Sequence, residues 1–253
     1  MRVLLSTGAK DFSRERTMSM NQLLLALPKD EVQKIQPHLE KVTLSTGQML
    51  YDADETIDYV YFPNSGLTSL VVSSQDGTQV ESSVVGQEGL VGIMAVLGNN
   101  QSVTKAQVQI EGTAWQIAAH KVEELVHSSS ELENLLLRYM QVLYNQSAQN
   151  ALCNKAHSLD QRFSRWMLVA CDRVQSDSFC LPAQFISDML GVKLPETLPV
   201  LAAFEQAGII RYEYATGRLT ILQRHELKSA ACECYQVLHD QFHSLHHDKG
   251  RSS

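Results

Sequence analysis

The chain has 253 residues, of which 44% are hydrophobic and 19% charged, with a formal net charge of −7 at pH 7. The length suits two compact units, and the composition excludes a largely disordered chain. The acidic balance excludes a protein that coats nucleic acid by charge alone, because phosphate binding needs a basic surface, so any DNA contact must be local.

Cysteine usage and hydropathy indicate a cytoplasmic protein. The five cysteines are odd in number, scattered and not accompanied by a signal peptide, so we expect reduced thiols. No apolar run approaches the roughly 20 residues that cross a bilayer, and we expect no membrane partner. The cysteines are Cys153, Cys171, Cys180, Cys232 and Cys234.

The first half of the chain predicts an antiparallel β-roll. Residues 1–18 predict a disordered tail, and from Glu40 short runs of β-favouring residues alternate with turn signals. The segment 67–85 predicts a hairpin, because its Asp-Gly turn supplies the positive φ angles that tight hairpins need. Residues 103–117 predict a second hairpin. We place this sensor domain at residues 19–128.

A long helix with a hinge is predicted at residues 129–155. Apolar residues recur there at helical spacing, and a helix of this length spans roughly 30 Å, which is longer than one β-roll needs. We therefore predict a dimerisation helix, with the hinge near residues 154–157. A helix that packs only on its own sheet stays open as the alternative. The predicted dimer positions are Leu132, Leu136, Tyr139 and Leu143.

The segment 156–247 predicts a winged helix-turn-helix. A capping box, formed by Ser158 and a glutamine three residues later, starts its first helix. Residues 181–210 predict helix, turn and helix, with Gly191 as the left-handed cap. Two short strands at 209–222 predict the wing, and the last six residues, 248–253, predict a second tail.

At this point the chain resembles the Crp/Fnr family of bacterial regulators, over roughly residues 20–245. The resemblance implies an α+β fold: an N-terminal antiparallel β-roll of the jelly-roll type, a long dimerisation helix and a C-terminal winged helix-turn-helix. It also implies that the second helix of the helix-turn-helix enters the major groove of DNA. The stretches that carry it are 61–66, 84–92, 135–139, 158–161, 165–166, 189–192 and 231–235.

The effector site departs from the family members that bind cyclic nucleotides. Those members hold the sugar and cyclic phosphate with a Gly-Glu-Leu stretch and an arginine followed by serine or threonine. Here Gly92 is followed by Ile-Met, and Thr104 is followed by Lys105, which offers a point charge instead of a bidentate guanidinium. We predict an effector pocket at Gly89, Gly92, Thr104 and Lys105, of unknown ligand, and we do not expect cyclic AMP.

The recognition helix departs further. Related proteins carry Ser-Arg-Glu-Thr-Val-x-Arg, and this chain has Lys-Leu-Pro-Glu-Thr-Leu-Pro at 193–199. Leucine and proline side chains cannot form the paired hydrogen bonds to a base edge that each give roughly 1–3 kcal/mol of discrimination against the wrong base. We expect Pro199 to shorten the helix to residues 199–206. The predicted DNA contacts are Lys193, Leu194, Glu196, Thr197 and Arg218.

No metal, cluster or catalytic site is predicted. No cysteine precedes Cys153, so we expect no iron–sulfur cluster, and a haem stays open. Four histidines near Cys232 and Cys234 have helix-compatible spacing, but no carboxylate or supporting partner is identifiable, so we assign no metal there. No constellation supports an enzyme. The four histidines are His239, His243, His246 and His247.

Two functional hypotheses follow. The first is a homodimeric transcriptional regulator that couples an effector or redox signal at the β-roll to a winged helix-turn-helix. Its partners are DNA, bound weakly or in an atypical way, a second copy of the chain, and RNA polymerase or another protein. The second is a Crp/Fnr-derived sensor or adaptor that has lost specific DNA readout and acts through protein contacts.

Overall fold

The computed structural model describes residues 21–98 and 100–247, so both predicted tails lie outside the described residues. The side chains of His246 and His247 also lie outside them. The first half consists of α1 (Gln22–Ala26), α2 (Lys29–Ile35), β1 (Glu40–Leu44), β2 (Met49–Tyr51), β3 (Tyr59–Pro63), β4 (Leu67–Ser73), β5 (Gln79–Val85), α3 (Met94–Leu97), β6 (Lys105–Ile110) and β7 (Gly112–Ala118).

The second half is mostly helical, and its three strands form one small sheet of their own. Among the described residues, no helix is both long enough and apolar enough to cross a membrane. The elements are α4 (Ala119–Ser128), α5 (Ser130–Ala156), α6 (Leu159–Val174), β8 (Ser178–Cys180), α7 (Ala183–Leu190), α8 (Leu194–Gln206), β9 (Ile210–Glu213), β10 (Arg218–Ile221), α9 (Arg224–Ala230) and α10 (Cys234–His247).

The β-roll consists of two antiparallel sheets, ordered β1-β7-β3 and β2-β6-β4-β5. The predicted hairpin at 67–85 is confirmed as β4 and β5. The predicted hairpin at 103–117 is wrong, because β6 and β7 lie in different sheets and only Glu111 separates them. Glycine makes this crossing possible: a Cβ on Gly112 would lie 2.2 Å from the carbonyl oxygen of Ser65.

The long helix α5 is continuous to Ala156 and packs on the β-roll of its own chain. The Ser129 hydroxyl caps its start by accepting from the Leu132 amide at 3.1 Å. The predicted hinge at 154–157 is wrong for its first three residues, because the helix ends only at His157, which is extended. The predicted capping box is confirmed: Ser158 and Gln161 bond to each other's backbone and start α6.

The helix-turn-helix consists of α7, a turn at Gly191 with φ +63°, and α8. The predicted shortening of the second helix is wrong, because α8 begins at Leu194 and includes Pro199. The Lys193 amide donates to Glu196 Oε1 at 2.9 Å, and Pro195 lies in the first turn, where no N–H is needed. A helix-interior proline costs about 3 kcal/mol, which burial of the other face of α8 offsets.

Residues 158–231, which we call the winged unit, dock on the sheet that contains β4 and β5 through α6. Side chains of β4, β5 and β6 join the core of the winged unit, and α7 also contacts β5. Trp166 Nε1 donates to Glu81 Oε1 at 2.8 Å, and the Ser69 hydroxyl donates to Glu81 Oε2 at 2.6 Å. Farther along α6, Arg173 Nε lies 3.0 Å from Glu88 Oε1. We call these contacts the seam.

One sequence expectation fails at the seam. The spacing of apolar residues along α6 predicts that Arg165 faces solvent, but Arg165 is 4% exposed. The inner face of α6 is wider than an apolar stripe alone indicates, because the helix packs on the winged core and on the β-roll at once. The predicted division of the chain at residues 128, 155 and 247 stays a prediction.

Glu81 makes the docking sensitive to pH. Burial raises its pKa to about 7, although the hydrogen bonds from Ser69 and Trp166 and the charges of Arg165 and Arg173 oppose this shift. A carboxyl whose pKa rises on folding favours the folded state when protonated. Its contribution is fully present below the ordinary pKa of 4.5 and is lost as pH rises through about 7.

The variant Glu81→Gln should therefore flatten the pH dependence of stability. The amide keeps an acceptor for Trp166 and cannot ionise, so we expect the variant to gain up to about 3 kcal/mol on wild type between about pH 5 and pH 8. Urea denaturation across this range measures the difference. The control is Glu55→Gln at an exposed glutamate. An unchanged pH profile in Glu81→Gln would contradict the assignment.

Candidate functional site

The outward face of α8 is apolar. Lys193 and Glu196 are exposed at its start, and Leu194 is half-buried. No arginine or lysine lies within α8 itself. Guanine is read mainly by arginine or lysine, which α8 lacks, and the amide that could read adenine, that of Gln206, lies at the far end of the helix. The other exposed residues of α8 are Pro195, Leu198, Pro199, Ala202, Ala203 and Gln206.

Thr197, predicted to contact DNA, lies in the interior. Its side chain is 0% exposed, and its hydroxyl oxygen accepts from the Ser187 hydroxyl at 2.9 Å. The contact joins the two helices of the helix-turn-helix and is therefore structural. The prediction for Thr197 is wrong because the family pattern places a threonine here without saying which face of the helix it occupies.

The wing carries two exposed cations, Arg211 and Arg218. Arg218 lies on β10 opposite Glu213 of β9, and Arg211 lies opposite Thr220. All three charged side chains are exposed. Glu213 lies opposite Arg218 and offsets its charge. The net positive charge that the wing offers to phosphates is therefore small.

None of the four predicted effector residues lines the cavity described below, and the effector pocket at these positions stays a prediction. A Cβ on Gly89 would lie 2.3 Å from the Tyr139 hydroxyl oxygen, so the side chain of Tyr139 covers this backbone. Gly92, with φ +94°, abuts Ile57, and Thr104 shares a hydrogen bond with Ser102 at 2.8 Å. Lys105 begins β6 and is half-buried. Both glycines serve packing in this structure.

A cavity of about 210 Å³ lies instead at the seam. Its wall combines Glu88 of the β-roll with Arg173 of α6 and five residues of α10, and it includes none of the four predicted positions. The Arg173 guanidinium also lies 4.3 Å from the ring centre of Phe242. A ligand in this cavity would contact both units. The α10 residues are Tyr235, Leu238, His239, Phe242 and His243.

The predicted dimer positions on α5 are covered within one chain. Leu132, Leu136, Tyr139 and Leu143 all belong to the β-roll core. The opposite face of α5 is exposed and partly apolar: Leu137 is 49% exposed and Tyr144 is 72% exposed. The alternative weighed above, a helix packed on its own sheet, describes the first face, and the second face is the one left for a partner.

The structure brings together four side chains that were considered separately or not at all. Cys153 and His157 lie at the end of α5, and Cys232 and Cys234 lie between α9 and the first turn of α10. Their sulfur and imidazole nitrogen atoms all lie within 4.8 Å of one another. We call this group the Cys/His cluster. The i, i+4 spacing of the first pair is the signal that could have revealed it.

The pKa values of side chains in the cluster are shifted from their ordinary values. The hydrogen bond from Cys232 lowers the pKa of Cys153, and the charge of Arg165 acts in the same direction. The same contact raises the pKa of Cys232, and contact with Cys153 raises the pKa of His157. Cys153 is therefore the cysteine of the cluster that loses its proton most readily, and the thiolate is the form of cysteine that binds metal ions.

Comparisons with known proteins identify the fold. Residues 41–129 match the family model of the cyclic nucleotide-binding domain. A comparison with curated protein sequences gives no match. Among solved structures, the chain is similar to FixK2 from Bradyrhizobium japonicum, with a TM-score of 0.65 and 15% identity over 77% of this chain and 98% of that one.

Two structures from Thermus thermophilus give similar values. A CRP-family transcriptional regulator has a TM-score of 0.61 and 19% identity, over 75% of this chain and 96% of that one. A CRP/FNR-family regulator has a TM-score of 0.59 and 17% identity, over 76% and 98%. These similarities confirm the predicted fold, that of Crp/Fnr regulators with a β-roll of the cyclic nucleotide-binding type.

The structural role of Thr197 can be tested by Thr197→Val. The substitution conserves shape and removes one buried hydrogen bond, so we expect the free energy of unfolding to fall by about 1 kcal/mol. The matched control is Thr56→Val at an exposed threonine, which should change it by less than about 0.5 kcal/mol. Urea denaturation measures both. Equal stability in the two variants would contradict the interior role.

Proposed function

We propose that the chain is a cytoplasmic, homodimeric transcriptional regulator of the Crp/Fnr type, with weak or atypical DNA readout. The observation that carries the proposal is the helix-turn-helix with its wing, in which the outward face of α8 is free. The β-roll of the cyclic nucleotide-binding type supports a sensing role for the N-terminal half. The similarity to regulators of known fold supports the same arrangement.

DNA contact would come from the ends of this surface. Lys193 at the start of α8 and Arg218 on the wing are exposed and can approach phosphates. Leu194 can offer only an apolar contact to a base, and the Glu196 carboxylate already accepts from a backbone amide. The binding energy would therefore be mainly electrostatic and low in sequence discrimination.

A second function is favoured by the same face of α8. An exposed strip of proline, leucine and alanine, with no cation inside the helix, is better suited to a protein surface than to a phosphate backbone. In that case the chain is a sensor or adaptor that acts through protein contacts. RNA polymerase is one partner that such a surface could reach. Measurable DNA binding by the wild type, weak in the first function and absent in the second, separates the two functions.

Coupling between sensor and output would pass through the seam. The contacts that hold the winged unit on the β-roll include two buried carboxylates, Glu81 and Glu88, and the cavity beside Arg173 touches both units. A signal that alters these contacts would change the position of α8. The effector itself stays unknown, and Lys105 alone does not replace the arginine that holds a cyclic phosphate.

The dimer would form through the exposed face of α5. Leu137, Tyr144 and Ala151 are seven residues apart in turn and all exposed, so they form a stripe on one side of the helix. This is the spacing by which two parallel helices pack along their length. The proposal replaces the four buried positions predicted from the sequence by this stripe.

Specific DNA readout is tested with the triple variant Leu194→Arg, Pro195→Glu, Pro199→Arg. The wild type should bind genomic fragments weakly and with little sequence preference, while the variant gains paired donors and acceptors and should prefer some fragments by tenfold or more, about 1.4 kcal/mol. Electrophoretic shifts at physiological salt measure both. Nanomolar, sequence-specific binding by the wild type would contradict weak readout, and equal binding by the two proteins would show that these positions do not govern it.

The dimer face is tested with Leu137→Glu. A charge in the middle of an apolar helix pair should dissociate the dimer, since an unpaired buried charge costs several kcal/mol. The matched control is Leu25→Glu on α1, where the leucine is 65% exposed. Light scattering after size-exclusion chromatography gives the mass. A wild-type monomer, or a dimer in Leu137→Glu, would contradict the proposed face.

A further inference from the structure

The Cys/His cluster has the dimensions of a site for one tetrahedral ion. Zinc bonds of about 2.3 Å to sulfur and about 2.0–2.1 Å to nitrogen place the ligand atoms of a tetrahedron about 3.5–3.8 Å apart. Cys153 Sγ lies 3.6 Å from Cys232 Sγ, and Cys234 Sγ lies 3.6 Å from His157 Nδ1. Two edges of the cluster therefore already match a zinc site.

We infer that Cys153, His157, Cys232 and Cys234 bind one zinc ion. Three cysteines and one histidine are a ligand set of closed structural zinc sites, in which no coordination position remains for substrate. With all four donor atoms within 4.8 Å of one another, the cluster has room for a single ion and not for a polynuclear iron–sulfur centre. The inference does not depend on DNA binding.

Contacts around the ligands support this assignment. His157 Nε2 lies 3.2 Å from Glu233 Oε1, so this nitrogen can donate to the carboxylate and leave Nδ1, which faces Cys234, with a free lone pair. Zinc-binding histidines commonly have such a carboxylate partner. Gln149 Nε2 donates to Cys234 Sγ at 3.0 Å, which suits a thiolate. From the sequence alone, a metal is considered only for the four histidines at the C-terminal end, and His157 is not among them.

The charge balance is also suitable. Three thiolates, a neutral imidazole and a zinc ion have a net charge of −1, which is costly in a buried site without compensation. The charge of Arg165 favours the Cys153 thiolate, and the Arg165 Nε atom has no hydrogen-bond partner among the described residues. A buried cation with spare donor capacity beside the cluster would offset the negative site.

The site would join two parts of the chain that are distant in sequence. Cys153 and His157 end the long helix, while Cys232 and Cys234 follow the winged unit, and 79 residues separate Cys153 from Cys232. The ion would hold α10 against α5. Zinc is therefore expected to stabilise the folded chain, and a chelator should lower its melting temperature.

Zinc content of the purified full chain tests the inference. Elemental analysis should give about one zinc ion per chain in wild type and in the control Cys180→Ser, and a large loss in Cys234→Ser. Cobalt in place of zinc should give the absorption bands of a tetrahedral thiolate site. Glu233 is 71% exposed, so Glu233→Gln should fold normally and bind zinc 10–100-fold more weakly in competition with a chelator.

Other outcomes would overturn the inference. A disulfide between Cys153 and Cys232, detected by mass spectrometry without added reductant, would make the cluster a redox pair, since its sulfurs would then be about 2.05 Å apart. Free thiols that bind no zinc at saturating concentration would show that the cluster is only packing. Full zinc content in Cys234→Ser would contradict the ligand set, and unchanged affinity in Glu233→Gln would contradict the supporting role of Glu233.

Discussion

The position of the helix-turn-helix depends on the buried hydrogen bonds that Glu81 accepts from Ser69 and Trp166. A carboxyl without solvent is stable there only when it is protonated or fully paired, so ionisation of Glu81 favours the separation of β5 from α6, which returns the group to water. The apolar side chains around it, which come from both units, then form one core. Docking, and with it the placement of α7 on β5, follows from this contact.

Two attachments hold the winged unit, and they differ in chemistry. The seam depends on protonation and on the ion pair of Arg173 with Glu88, whereas the Cys/His cluster depends on thiolates. Protons would act on the first near neutral pH and oxidants or chelators on the second. The structure therefore offers two separate ways to alter how a β-roll and a helix-turn-helix are joined, without any change in α8 itself.

Several local signals in the sequence predicted the local structure, although the turn between β6 and β7 joins two sheets and Pro199 does not shorten α8. The Asp-Gly turn, the capping box at Ser158 and the cap at Gly191 each depend on contacts within a few residues, and all are present. Features that depend on distant partners could not be predicted in the same way. Nothing local indicates that Arg165 is buried, or that Cys153 lies beside Cys232. The candidate site therefore differs from the sequence prediction more than the fold does.

The contact between Cys153 and Cys232 also determines where the winged unit is attached to α5. The two ends of the segment 158–231 lie close together at the end of α5, because Cys153 contacts Cys232. The segment is therefore joined to α5 at one place, as a domain inserted into a loop is. If the seam opened, α6, α7, α8 and the wing could turn together as one body about that place. The contact between α10 and α5 would keep the segment 158–231 attached to the rest of the chain.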